Sequence, residues 1–267
     1  MSRLFDTGVL GAGAVIASAL VVYASVVWSE LTQDVVIIGE FHDNPRHHRN
    51  QQDAVTGIAP KAVVYEMLTP EEARQLADIP RDQAAMEAAT AGFHWANIAD
   101  YAGVLSASPV IVGAALSRDD VRAAFGDGAA SVFGGQAALY GLTESLPAAE
   151  QAAREALQFD AHCGAMPLEM TGGMVEAQRL RDAAFARTVL EAIDTYGTPV
   201  VLITGNGHAR TDWGVPAYLT RARPDLDVVA IGQGEDGVPP QGTFDVEIID
   251  APSPDRPDPC AAFQTRD

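Results

Sequence analysis

Five short runs of β-branched and other apolar residues constrain the fold most: DVVIIGE (34–40), KAVVYEM (61–67), SPVIVGAA (108–115), TPVVLITGNG (198–207) and LDVVAIGQG (226–234). None alternates with polar residues, so each suits a strand covered on both faces, and such strands build parallel sheets. TFDVEII (243–249) alternates instead and suits an edge strand. Helical patterns at 45–58, 70–90, 97–107, 117–125, 147–161, 167–196 and 214–222 fill the intervals. Strands alternating with helices give the fold class: α/β, with a mostly parallel sheet flanked by helices. More than eighty residues separate the third run from the fourth, too many for one crossover helix, so a smaller all-helical subdomain is expected at about 116–196. The folded body then covers 31–250. The aperiodic PSPDRPDPC marks 251–267 as an extended tail.

Residues 8–28 are uncharged and almost wholly apolar, with Arg3 ahead of them. A run of that length at the N-terminus predicts a secretory signal or membrane anchor over 1–30, with the domain in the periplasm or elsewhere in the cell envelope. A lipoprotein signal would need a cysteine at the end of the run, and there is none. The two cysteines, Cys163 and Cys260, favour a disulfide in an exported chain, tying the tail to the body. Acidic residues outnumber Lys+Arg by 36 to 17, and Lys61 is the sole lysine. Without a basic cluster, nucleic acid is excluded as a partner.

Three of the six histidines fall in IIGEFHDNPRHHRNQ (37–51). Asn44 is a favoured N-cap and Pro45 a favoured first helical residue, so a helix should start at 45. Gly39, Glu40, His42 and Asp43 then occupy the carboxyl end of a parallel strand, where open α/β sheets build ligand sites. The fourth strand repeats the arrangement, with Gly205 and Asn206 followed by His208, and Glu66 closes the second strand. Glu40, His42, Glu66 and His208 can therefore converge from three strand ends. Two imidazoles with carboxylates suit a divalent ion on His42, His208 and Glu66, or an acid/base set for hydrolysis. The plainer alternative is that these groups bond one another and nearby helix N-termini. His47 and His48 ride on the helix, and His94 and His162 read as structural. On the long helix Met174, Gln178 and Asp182 are spaced by four and could line a pocket. Helical geometry alone favours a solvated stripe beside Arg179 and Arg181.

GEFHDNPRHHRNQ, VVYEM, MVEAQRLRDA and GNGHARTDWGVP, in that order from about Asp34 to Pro216, resemble the ChaN-like haem-binding family of bacterial lipoproteins. That family sits with the Tiki metalloproteases, TraB proteins and erythromycin esterases in a superfamily marked by paired G-x-x-H motifs and an intervening glutamate. The resemblance implies a haem-binding envelope protein in haem or iron uptake. Its haem would lie at a homodimer interface, with a tyrosine on the iron and a histidine and lysine on the propionates. Tyr101 and Tyr140 are the candidate iron ligands, and His47 and His48 are further candidate haem-binding residues. Lys61 starts a strand, on the edge away from the motifs. By the hydrolase relatives, His42 and His208 match the motif histidines, Glu40 lies in the first motif and Glu66 is the intervening glutamate. A metal-dependent peptidase or esterase is the alternative the resemblance carries.

Overall fold

A computed structural model describes residues 26–254 together with 256, 258, 260 and 261. Six parallel strands form one sheet in the order β3-β2-β4-β1-β5-β6. They are β1 (Val35–Ile38), β2 (Ala62–Tyr65), β3 (Ile111–Gly113), β4 (Val200–Ile203), β5 (Val228–Glu235) and β6 (Val246–Asp250). The alternating run becomes β6 at the sheet edge, as its half-exposed pattern requires.

The helices are α1 (Pro45–Ile58), α2 (Pro70–Gln75), α3 (Gln83–Ala89), α4 (Ala102–Ala107), α5 (Arg118–Asp127), α6 (Ala129–Phe133), α7 (Ala148–Ala161), α8 (Thr171–Tyr196), α9 (Asn206–Ala209) and α10 (Val215–Ala222). The pattern at 70–90 divides into α2 and α3, because Pro80 between them cannot continue a helix. Residues 97–107 begin with a 3-10 turn, Ile98–Tyr101, before α4. At α1 the Asn44 side chain accepts the Arg46 N–H at 2.8 Å and Pro45 opens the first turn, as the sequence predicts.

Side chains alternate across the sheet. Val35, Ile37, Val64 and Leu202 pack with Leu180 and Phe185 of α8 and with Val215 and Leu219 of α10. Val36, Ile38, Tyr65 and Ile203 pack with Ala54 and Val55 of α1 and with Val104 and Leu105 of α4. The helices that fill 116–196, α5 to α8, share the first of these apolar clusters through α8. Cys260, beyond β6, and Cys163, after α7, form a disulfide with Cα atoms 5.6 Å apart. Residues 1–25 of the expected signal or anchor lie outside the described residues. Among the described residues no helix is long and apolar enough to cross a membrane.

Candidate functional site: a cleft at the carboxyl edge of the sheet

β1 and β4 are parallel neighbours, yet the chain leaves them toward opposite faces, into α1 on one side and α10 on the other. Such a divergence opens a crevice at the carboxyl edge. The glycines that begin both G-x-x-H motifs allow close approach there. A Cβ on Gly39 would lie 2.4 Å from Asn206 Oδ1, and one on Gly205 would lie 2.9 Å from His42 Nε2. Asn206 uses its amide as a strap to β5: Nδ2 donates to Gln233 O at 2.8 Å and Oδ1 accepts Gln233 N–H at 3.0 Å.

Glu40 is the hub of the first network. Its Oε1 accepts from Tyr101 OH at 2.5 Å and lies 2.9 Å from His42 Nδ1; its Oε2 accepts from Gln51 at 2.8 Å. His48 Nε2 stands 3.3 Å from Oε2 but out of line for a hydrogen bond. Burial pushes the Glu40 carboxyl up, but the His42 and His48 imidazoles outweigh it and bring it to about 2. For His42, burial lowers the value, while the bond to Glu40 and the charges of Glu66, Glu40 and Asp43 raise it to about 9. Both groups are therefore ionised at neutral pH.

The pair makes stability depend on pH in a definite direction. Protonated His42 contributes fully below its ordinary value of 6.5, and that contribution disappears as pH rises through about 9. Ionised Glu40 contributes fully above its ordinary value of 4.5, and that contribution is lost as pH falls toward about 2. Urea unfolding of wild type and His42→Gln across pH should show a stability gap that closes between 6.5 and about 9. A gap of constant size would contradict the pairing.

Glu66 links the two motif histidines in a second network. Its Oε2 accepts from Thr204 Oγ1 at 2.6 Å and Gly205 N at 2.8 Å, and lies 3.9 Å from His42 Nε2. Oε1 stands 3.4 Å from His208 Nε2. On its other side, His208 Nδ1 is 2.6 Å from Asp182 Oδ1. Burial raises the Asp182 carboxyl against the pull of His208. Burial lowers His208, but Glu66 and Asp182 outweigh it and raise it. An imidazole with a carboxylate at each nitrogen can hold a proton and pass it on.

These pairings also bear on the metal expectation. Among the described residues no group of three or more His, Cys, Asp or Glu side chains is placed to hold a metal ion. His42 Nδ1 is committed to Glu40, His208 Nδ1 to Asp182, and Glu66 to Thr204 and Gly205. In this arrangement Glu40 holds His42, and Glu66 stands between His42 and His208.

Above the networks lies a cleft of about 730 Å³, walled by Phe41, Leu157, Val175 and Trp213 and floored by His42 and Glu66. The side chain of His42 is 33% exposed, whereas those of His48 and His208 are only 7% and 8% exposed. Asp43 and Glu235 together clasp Arg256 of the tail, which separates this cleft from a more polar cavity of about 860 Å³ beside His48 and Arg49. Asn44 joins that clasp, donating to Glu235 at 2.5 Å and to Ala251 O at 3.0 Å.

Other sequence candidates fall elsewhere. His47 is a clip: its Nδ1 accepts the Phe41 N–H at 3.0 Å and its Nε2 lies 3.3 Å from Gly234 O. Burial accordingly holds it below its ordinary value, as a neutral ring. Neither candidate tyrosine is open to an iron. Tyr101 is fully buried with its hydroxyl given to Glu40, and Tyr140 lies in the apolar core against Phe133, ring centroids 5.0 Å apart. Lys61 precedes β2, at the opposite edge of the sheet from the cleft. The solvated-stripe reading of α8 is corrected, since Asp182 is wholly buried on His208 and Gln178 lines the cleft. His94 is bound by Glu72 at 2.8 Å and His162 by the Gln158 carbonyl at 2.7 Å, both away from the cleft. Sequence reasoning missed Gln51, Arg154 and Arg256. Gln51 had a signal, three residues after His48 on the inward face of α1.

Parallel sheet, crevice and paired G-x-x-H strand ends define an α/β protein with its candidate site at a topological switch point. The sequence matches the family described as "Haem-binding uptake, Tiki superfamily, ChaN" over residues 27–219, and the chain belongs to that family. Among solved structures it is similar in fold to that described as "Cofacial heme binding to ChaN of Campylobacter jejuni". That match has a TM-score of 0.55 at 16% identity, covering 79% of this chain and 86% of that one. A looser likeness, carrying no argument, is to the type III effector HopBA1, with a TM-score of 0.41 at 10% identity, covering 82% and 88%. No curated protein matches in sequence.

Proposed function

We propose that the chain is a haem-binding protein of the cell envelope, serving haem or iron uptake, and that its haem site is the cleft above β1 and β4. The observation that carries this reading is an accessible imidazole set among apolar walls: His42 faces a cleft bounded by Phe41, Leu157, Val175 and Trp213. Glu40 holds His42 Nδ1, which leaves Nε2, 3.9 Å from Glu66 Oε2, as the ring nitrogen without a hydrogen bond among the described residues. A carboxylate behind an imidazole orients it and raises its basicity as a metal ligand. His42 would be the residue to hold a haem there, and the haem would supply the iron chemistry. His42 carries a proton at neutral pH, so ligation has to release it.

The family match favours this reading over a hydrolase. Location outside the cytoplasm is supported by the Cys163–Cys260 disulfide, a bond that persists in oxidising compartments, and by the apolar N-terminal run. Titrating the purified protein with hemin tests the function. A saturable Soret shift at one haem per chain is expected, and a shift that never saturates would overturn it.

A further inference from the structure

We propose that Arg154 is a receptor for a carboxylate on the cleft's ligand; this rests on the cleft being the ligand site. The side chain of Arg154, on α7, lines the cleft and is only 7% exposed. Its Nε and Nη2 bond Glu150 Oε1 at 2.9 and 2.5 Å, and Nη2 also lies 3.5 Å from Trp213 O. Nη1 is buried and has no hydrogen-bond partner among the described residues, while the guanidinium carbon lies 5.1 Å from the Trp213 ring centroid. A guanidinium donor removed from water without an acceptor is costly, and a carboxylate is the acceptor its planar fork fits best.

Two other arginines near the cleft are already engaged. Arg256 is held by Asp43 and Glu235. Arg210 is held at both ends by Asp212, at 2.6 and 2.7 Å, and lies over the Trp213 ring at 3.6 Å. At the floor, Glu40 and Glu66 present carboxylates rather than donors and His42 Nδ1 is held by Glu40, so a ligand's acid group is directed to Arg154. Its apolar body then lies along Leu157, Val175 and Trp213. The ligand class is an apolar body carrying a carboxylate, to which haem with its propionate side chains conforms.

The test compares protoporphyrin IX with its dimethyl ester, which removes the acid groups and requires no variant. Wild type should bind the acid about ten- to a hundredfold more tightly than the ester. Arg154→Gln should erase that preference and Arg154→Lys keep part of it, with circular dichroism confirming the fold of each. Equal affinity of wild type for acid and ester would overturn the proposal. Dodecanoate, an acid without a porphyrin, separates the two levels. Arg154-dependent dodecanoate binding without a hemin response keeps the carboxylate subsite and removes the haem reading. Failure of protoporphyrin and dodecanoate alike to bind removes the subsite.

Discussion

Glu40→Ala is expected to cost about 3–5 kcal/mol of folding stability, the range for removing one partner from a buried ionic cluster. The carboxylate is only 2% exposed, and Tyr101, His42 and Gln51 all direct donors at it. An alanine leaves the Tyr101 hydroxyl and the Gln51 amide buried without an acceptor and strips His42 of its counter-charge. In a chain of this size a loss of that order lowers Tm by roughly 10 °C. Calorimetry and urea unfolding measure it directly. Glu40→Gln should fall between wild type and alanine, because it keeps the shape and one acceptor but faces donors with its amide. An alanine variant within about 1 kcal/mol of wild type would show that the cluster does not hold the loop after β1.

The second large effect concerns binding rather than folding. His42→Ala should weaken hemin binding by on the order of a hundredfold, the scale on which metal affinity responds to loss of groups in and around a ligand set. The His42 ring is partly exposed and touches Trp95 edge-on at 4.9 Å, so its removal leaves the core intact. Far-UV circular dichroism should be unchanged, and added imidazole should restore much of the Soret shift by entering the vacated position. Tyr140→Phe is the matched control. Its hydroxyl lies on the far side of the sheet from Tyr101, so hemin affinity should stay at the wild-type level. Loss of binding in Tyr140→Phe together with retention in His42→Ala would reverse the assignment.

Most of the sheet can be read from the chain, because a strand covered on both faces cannot tolerate polar alternation: VVII and VVLI announce β1 and β4 by themselves. The paired glycine and histidine positions were equally legible, since each follows such a strand and only glycine fits beside Asn206 or His42. Asp182 was not. On α8 it shares a face with Gln178 and neighbours Arg181, a pattern solvated helices show, and only the placement of His208 after β4 reveals why it is buried. Arg154 was hidden for a similar reason: four residues after Glu150 it reads as a surface pair, and its burial arises from Trp213, remote in sequence. Tyr101 was found as a candidate but for a different task. Its hydroxyl serves Glu40 because a 3-10 turn ahead of α4 sets it under β1.

The most direct measurement is a crystal structure of the complex with hemin, the iron located by anomalous scattering. Iron density inside the cleft, within bonding distance of His42 Nε2 and with a propionate on Arg154, is the predicted result. Iron on an outer surface between two copies of the chain, ligated by a tyrosine with the cleft unchanged, would contradict it.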